Sequence, residues 1–263
     1  MKLSTLNKRT KAAAAVSLSL LLLILIWHVM SIRMNIPIIL PTPAETGAAL
    51  VSTILSPDFL VHVGTTVIRG LESFFLIFLI STVLGLLSGV FPIVGSLLTP
   101  VLVISKATPV MAIILLAFIW FTSNTVPIFS AFLMAFPVMF TTVENGVHQV
   151  SKELVEMSKV YRLSKYSRLR YLLIPSITPY IITGAKSSLS LIWKVVIAAE
   201  VLTSPSLGLG ARMHSAQINL ETAQVMSWTV IAIILTAISD ILFALLLRFI
   251  AVTPSHKEER NDH

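Results

Sequence analysis

Two stretches of this chain, Ser73 to Ser105 and Ala107 to Val143, carry no charged residue, and only Lys106 separates them. A soluble domain draws about 25% of its residues from Asp, Glu, Lys and Arg. Here the charged share is 12% against 56% hydrophobic, over 263 residues, so water could not wet the surface of such a fold. The composition places the chain in the membrane class and excludes disordered, collagen-like and coiled-coil readings. With no Cys, disulfide scaffolds, thiol nucleophiles, Cys-ligated zinc and iron–sulfur clusters are also excluded.

A spanning helix needs about 20 apolar residues at 1.5 Å rise each, and six segments meet that length. The first, Ala12 to Met30, follows a basic start, and the SIRMNIP after it offers no small-x-small cleavage site. It reads as a retained signal anchor. Helix two is expected over Leu71 to Val90, ended by Phe91-Pro92 and Gly95. Helix three is expected over Leu98 to Phe121, with Lys106 a snorkelling anchor near one surface. The polar tetrad Thr122-Ser123-Asn124-Thr125 makes a tight turn into helix four, Val126 to Val143, with Pro137 inside it. Helix five follows Pro175 and Pro179 and runs to Leu202, and helix six covers Thr222 to Ile250.

The net charge of +7 invites a nucleic-acid reading until the 19 Lys and Arg are located. Four precede the first apolar run, six lie between Lys152 and Arg170, and three are at the end; Lys106, Lys186 and Lys194 are inside apolar segments, leaving Arg33, Arg69 and Arg212. Basic residues concentrated in alternate connections are an orientation signal. Six spans with both termini in the cytoplasm put all three clusters inside; an odd number of spans would expel one of them.

The longest connection, Glu144 to Thr178, falls on that cytoplasmic side, and long loops with a periodicity of their own are usually functional. Ser151 is placed to cap a helix with Glu153 in its first turn, where an anion meets the positive end of the dipole. Leu154, Met157, Ser158 and Tyr161 recur at helical spacing. A second short helix is expected after Ser164, with Leu169, Leu172 and Leu173 as its buried stripe, stopped by Pro175. Such an amphipathic projection can dock into a groove of a soluble partner or lie on anionic lipid; periodicity alone leaves both open.

The stretch EMSKVYRLSKYSRLRYLLIP resembles the coupling-loop signature of ABC importer permeases. Glu156 takes the Glu position and Pro175 the Pro position, with Leu173 and Ile174 at the aliphatic positions before it. Met157 and Ser158 stand where two Ala are usual, and Arg162 where a Gly is usual. Since left-handed backbone is costly for any residue but Gly, the turn is expected one or two residues later, near Leu163-Ser164, or the loop is reshaped for its partner. LPTPAE at 40–45, the HxGTTxIRGLES start of helix two, AxIWF at the end of helix three, Glu200 and GLG at 208–210 are similar to the nitrate, sulfonate and taurine branch. The likeness spans roughly residues 37–250.

The resemblance implies an all-α integral membrane protein of six transmembrane helices with the type I (MetI-like) permease fold. Its organisation is a cytoplasmic basic N-terminus at 1–11, a first helix at 12–30, an external segment at 31–70, a permease core at 71–250 with coupling loop 144–178, and a cytoplasmic polar tail at 251–263. It implies a second permease copy, two cytoplasmic ATPase subunits, an external binding protein and surrounding lipid, with no nucleic acid. Glu153, Glu156, Met157, Ser158, Tyr161, Arg162 and Pro175 form the expected ATPase-coupling loop. ATP and Mg are expected on the ATPase, with no cofactor in this chain, which carries no G-x-x-x-x-G-K-[ST] loop.

Charges inside apolar segments are expensive and normally face protein or water. Helix five carries Lys186, Ser190, Lys194 and Glu200, the candidate translocation-path residues. At about 100° per residue Lys186 and Glu200 lie within about 40° of each other, and Lys194 about 80° from Lys186. Internal pairing competes with a path role, for instance Glu200 or Lys194 with Asp240. Trp193 and Trp120 read as core or interface aromatics, GLG as an external turn, and the six scattered His offer no metal-ligand pair. A secondary transporter would be expected to show an internal repeat of hydropathy and broken helices carrying midplane carboxylates; Glu200 and Asp240 sit beside no Gly or Pro break. Substrates in reach of the resemblance are sulfonates, taurine or nitrate, with a thiamine precursor or riboflavin as alternatives.

Overall fold

The computed structural model describes residues 2–251. The polar tail expected at 251–263 falls, from residue 252 on, outside the described residues. Every regular element among the described residues is helical: α1 (Lys2–Met34), α2 (Pro43–Ile54), α3 (Phe59–Val90), α4 (Pro92–Ala107), α5 (Val110–Trp120), α6 (Val126–His148), α7 (Lys152–Val160), α8 (Lys165–Arg168), α9 (Ile174–Thr203), α10 (Leu209–Ile218) and α11 (Thr222–Ala251). Five helical segments are long and apolar enough to cross a membrane, and the bent pair α4–α5 makes a sixth if it counts as one span.

The packing is built for lipid. Side chains of α3 that are buried include Thr66, Gly70, Ser73, Ser81, Gly85 and Ser88, while Phe75, Leu79 and Val83 are exposed. Small residues at helical spacing let backbones approach where no hydrophobic effect drives helices together. A Cβ on Gly70 would meet the Trp193 ring at 2.3 Å, and one on Gly89 would meet Val147 at 2.4 Å. The central helix is α6, packed along α3 and α9, and the core of Ile77, Ala135, Met139, Val143, Ile192 and Val196 lies between these three. Trp193 is buried and donates its Nε1–H to Ser239 Oγ at 2.9 Å, and Trp120 is exposed on the outer surface.

Three boundaries differ from expectation. Helix two starts early: the segment at 31–70 holds α2, and α3 begins at Phe59, well before Leu71. Arg69 and His62, both within that segment, are buried on α3. Helix three is two helices, with α4 and α5 meeting at 108°. Thr108 is extended (φ −79°, ψ 128°), as a residue before proline is driven to be, and Pro109 starts α5 in a new direction. Pro175 does not stop the second loop helix. A π-helical turn over Leu169–Leu173, closed by the Ile174 N–H to the Leu169 carbonyl, joins α8 to α9, and the wider turn accommodates a ring that would collide with the carbonyl four residues back.

Helix α1 meets the bundle through α2, with Trp27 Nε1–H donating to the Pro41 carbonyl at 2.9 Å and Ser31 Oγ–H to the Leu40 carbonyl at 2.8 Å. Thr42 opens α2 with a reciprocal cap: its hydroxyl accepts from the Glu45 N–H, and the Glu45 carboxylate accepts from the Thr42 N–H, the pattern of a capping box.

Candidate functional site

At one end of the bundle, α3, α9 and α10 meet in a closed polar cluster. Glu200 on α9 has no exposed surface and lies 2.6 Å from the Arg69 guanidinium of α3. Arg69 also donates to the Leu207 carbonyl and to Asn124 Oδ1, each at 2.8 Å. Thr66, one turn earlier on α3, donates to Glu200 at 2.9 Å. The first amides of α10 face the same cluster. Gly208 N–H donates to His62 Nδ1 at 3.2 Å, Leu209 N–H to Thr66 Oγ1 at 2.8 Å, and Gly210 N–H to Glu200 Oε2 at 2.9 Å. A helix N-terminus leaves its leading N–H groups unpaired and carries partial positive charge, so a carboxylate lent by α9 both satisfies and attracts it.

The glycines are dictated by this carboxylate. Gly208 has φ +145°, and a Cβ there would lie 2.7 to 2.8 Å from the Glu200 carboxylate; a Cβ on Gly210 would lie 2.5 Å from Glu200 Cβ. The GLG segment is therefore the seat of an anion inside the protein as well as a turn. Glu200 thus shows the internal pairing weighed against a path role, with its carboxylate bonded to Arg69, Thr66 and the Gly210 amide. The Asp240 pairing considered for Glu200 is not formed. His62, Thr66 and Arg69 lie in the HxGTTxIRGLES motif and Asn124 in the polar tetrad, but none of the four received a site role from sequence; the available signal was an Arg and a Glu of opposite sign in two apolar helices.

The other candidate path residues stay open. Lys186 and Lys194 are exposed and Ser190 is half-buried on α9. Lys194 lines a groove of about 720 Å³ between α9 and α11, with Met111 of α5, Ile197, Val201, Ile233 and Asp240. Ser190 Oγ–H donates to Asp240 at 3.1 Å. Lys186 and Glu200 are not among the groove's lining residues.

At the opposite end, α7 projects from the bundle. Ser151 caps it by accepting from the Leu154 N–H at 3.2 Å. The Ser151 hydroxyl also donates to Glu153, which holds that carboxyl below its usual range. The helix closes with the Leu163 N–H on the Ser158 carbonyl and the Arg162 N–H on the Lys159 carbonyl, each at 3.0 Å, the two bonds of a Schellman motif. The turn is at Arg162 itself, with φ +51°. It has not moved to Leu163-Ser164: Arg occupies the left-handed position that favours Gly.

Ser158 is buried, with its hydroxyl donating to the Val155 carbonyl at 2.6 Å. Glu153, Glu156, Met157, Tyr161 and Arg162 are exposed, as is Pro175 at the start of α9. The stripe expected to be buried in the second loop helix is open: Leu169 is exposed and Leu172 and Leu173 are half-buried. Tyr161 keeps 73% of its surface exposed and Val160 79%, so the projection carries an apolar face that none of the described residues covers.

Residues 81–252 match the family described as binding-protein-dependent transport system inner membrane component. The chain belongs to this family of ABC importer permeases. Over 239 residues it is 25% identical to the taurine transport system permease protein of Escherichia coli, covering 88% of this chain and 86% of the relative. A Bacillus subtilis protein named for aliphatic sulfonate transport is 26% identical over 80% of this chain and 76% of its own length. The bicarbonate transport system permease protein of Synechocystis is 32% identical over 48% of this chain and 45% of its own length. The permease is thus a non-enzymatic, multi-pass membrane component of a transporter, and it resembles the sulfonate and taurine branch.

Proposed function

We propose that this permease carries a small solute with an oxyanion group across the cytoplasmic membrane by alternating access, driven by a separate ATPase that docks on α7. The observation that carries the coupling reading is the α7 projection: a short helix closed at both ends by hydrogen bonds, with Met157 and Tyr161 exposed beside Glu156. A rigid knob with an uncovered apolar face fits a groove on a soluble partner and passes its movement to the helices at its base. That base is stiff here, because α6 leads into α7 and the helix resumes at Lys165 and continues into α9.

The proposed assembly has a second permease copy, two ATPase subunits holding ATP and Mg, and an external binding protein. In this reading both termini and α7 lie in the cytoplasm, which the placement of the basic clusters supports. The names of the relatives, taurine, aliphatic sulfonates and bicarbonate, support an oxyanion substrate. Lys194 is the group proposed to meet it, since an ammonium in a spanning helix is expected to face protein or a wet cavity.

The reading is tested in proteoliposomes holding the permease, its ATPase and its binding protein. Glu156→Lys and Tyr161→Ala are expected to lower substrate-stimulated ATP hydrolysis at least tenfold while leaving the melting temperature of the permease unchanged. Unaltered stimulation in both variants would overturn the docking role.

A further inference from the structure

The loop between α6 and α9 changes chemical character halfway along. Glu153 and Glu156 both lie on α7, and no further Asp or Glu follows until Glu200. From Lys159 through Arg162, Lys165, Arg168 and Arg170, the segment that joins α7 to α9 is uniformly basic. Its surface is also aromatic. Tyr166 keeps 64% of its surface exposed and Tyr171 73%, with Leu169 and Ile174 open beside them. Arg170 ties the two rings together: its guanidinium donates to the Tyr166 hydroxyl at 2.8 Å and lies 5.9 Å from the centre of the Tyr171 ring. A guanidinium offers five N–H donors in a fork that matches phosphate oxygens, and the phenol takes one of them.

The depth of this segment follows from α9. Its 30 residues cover about 45 Å at about 1.5 Å each, and a bilayer with its headgroups is about 40–45 Å thick. With Thr203 at the external face, next to the Arg69–Glu200 joint, Ile174 reaches the cytoplasmic headgroups, and α8 and the π-helical turn before it lie at the headgroup surface. Tyr rings are enriched at that level, and cations beside an anionic leaflet are attracted to it. We infer that the α8 and π-turn segment rests on anionic phospholipid of the cytoplasmic leaflet, with Arg168 and Arg170 on phosphate and Tyr166 and Tyr171 among the headgroups. It thereby holds the base of α7 at a fixed depth, while the α7 carboxylates face away towards a soluble partner. The inference rests on the cytoplasmic placement of the loop in the reading above.

The test places the permease, with and without its ATPase, in vesicles of phosphatidylcholine alone or of phosphatidylcholine and phosphatidylglycerol in equal parts, each with a trace of lipid carrying a nitroxide on its headgroup. The chain has no native cysteine, so a bimane on Leu169→Cys reports this segment alone. Quenching of the bimane is expected to be at least twofold stronger in the phosphatidylglycerol vesicles, with or without the ATPase. Adding Arg168→Gln/Arg170→Gln is expected to bring it down to the phosphatidylcholine level. Arg168→Lys/Arg170→Lys, which keeps the charge and loses the Tyr166 bond, is expected to retain at least half of the difference. Equal quenching in the two lipids, or quenching that the Gln pair leaves unchanged, overturns the lipid assignment. Quenching abolished by assembly of the ATPase overturns it as well and gives the segment to the ATPase interface. Where the Gln pair lowers the melting temperature, the Lys pair decides, and loss of the phosphatidylglycerol response there overturns the proposal. Labelling of Leu169→Cys by an impermeant maleimide from the external face alone removes the cytoplasmic placement and this inference with it; cytoplasmic labelling without a lipid response removes the inference alone.

Discussion

The two ends of the molecule treat unusual backbone in opposite ways. At the α10 end, Gly208 and Gly210 sit where any Cβ would strike the Glu200 carboxylate or its stem, and the leading amides of α10 are bonded to α3 or α9. At the α7 end, Arg162 holds a left-handed conformation with its side chain exposed. Such a residue costs roughly 1–2 kcal/mol in backbone energy but needs no space cleared for it. One end is a closed joint that fixes three helices to each other. The other is an open knob whose strain is local and whose surface is uncovered, as expected of a part that works on a partner.

The sharpest way to break this contrast is at the joint. Glu200→Ala leaves Arg69 buried without its carboxylate, and removing one partner of a buried pair costs about 3–5 kcal/mol. A fall of that size is expected in the denaturation of detergent-solubilised permease. The double variant Arg69→Met/Glu200→Met is expected to lose less than the single, since no charge is stranded. Gly210→Ala comes next, at about 1–3 kcal/mol for an overpacked site, measured in the same way. The knob should respond less and in both directions. Arg162→Gly is expected to stabilise α7 by about 1 kcal/mol, and Ser151→Ala to destabilise it by about 1 kcal/mol through the lost cap. Both are read as amide-exchange protection over Lys152–Val160, and neither should alter global melting.

The smallest effect is one of pH. The Ser151 hydroxyl holds the Glu153 carboxyl below its usual range. A depressed carboxyl contributes its stabilisation at pH values above the unfolded value and loses it as pH falls through the folded one. Protection of α7 should therefore persist through the ordinary carboxylate range and fade only below it. In Ser151→Ala the fading should move up to that range.

The knob was legible in sequence because its determinants are local. Ser151, Glu153 and the Leu154–Met157–Tyr161 spacing lie within one short helix, and caps and periodicity act over a few residues. The apolar runs gave the spans for the same reason. The joint was not legible, because Arg69 and Glu200 are separated by 131 residues and no local pattern links a Thr-x-x-Arg on one helix with a Glu on another. Glu200 was consequently grouped with Lys186 on angular position, although its charge is enclosed and that of Lys186 is open. The break at Pro109 was within reach, since Thr108-Pro109 carries a plain local signal, but the uncharged run around it masked the turn. The left-handed Arg162 ran against propensity, and only the two Schellman bonds around it explain why the turn stays in place.

The permease contains no cysteine, so a single thiol reports its own surroundings. Tyr161→Cys in inside-out membrane vesicles should react with a membrane-impermeant maleimide in the permease alone and become protected when the ATPase is assembled on it. Labelling that the ATPase leaves unchanged, or that occurs only in right-side-out vesicles, would contradict the account of α7 as the cytoplasmic docking knob.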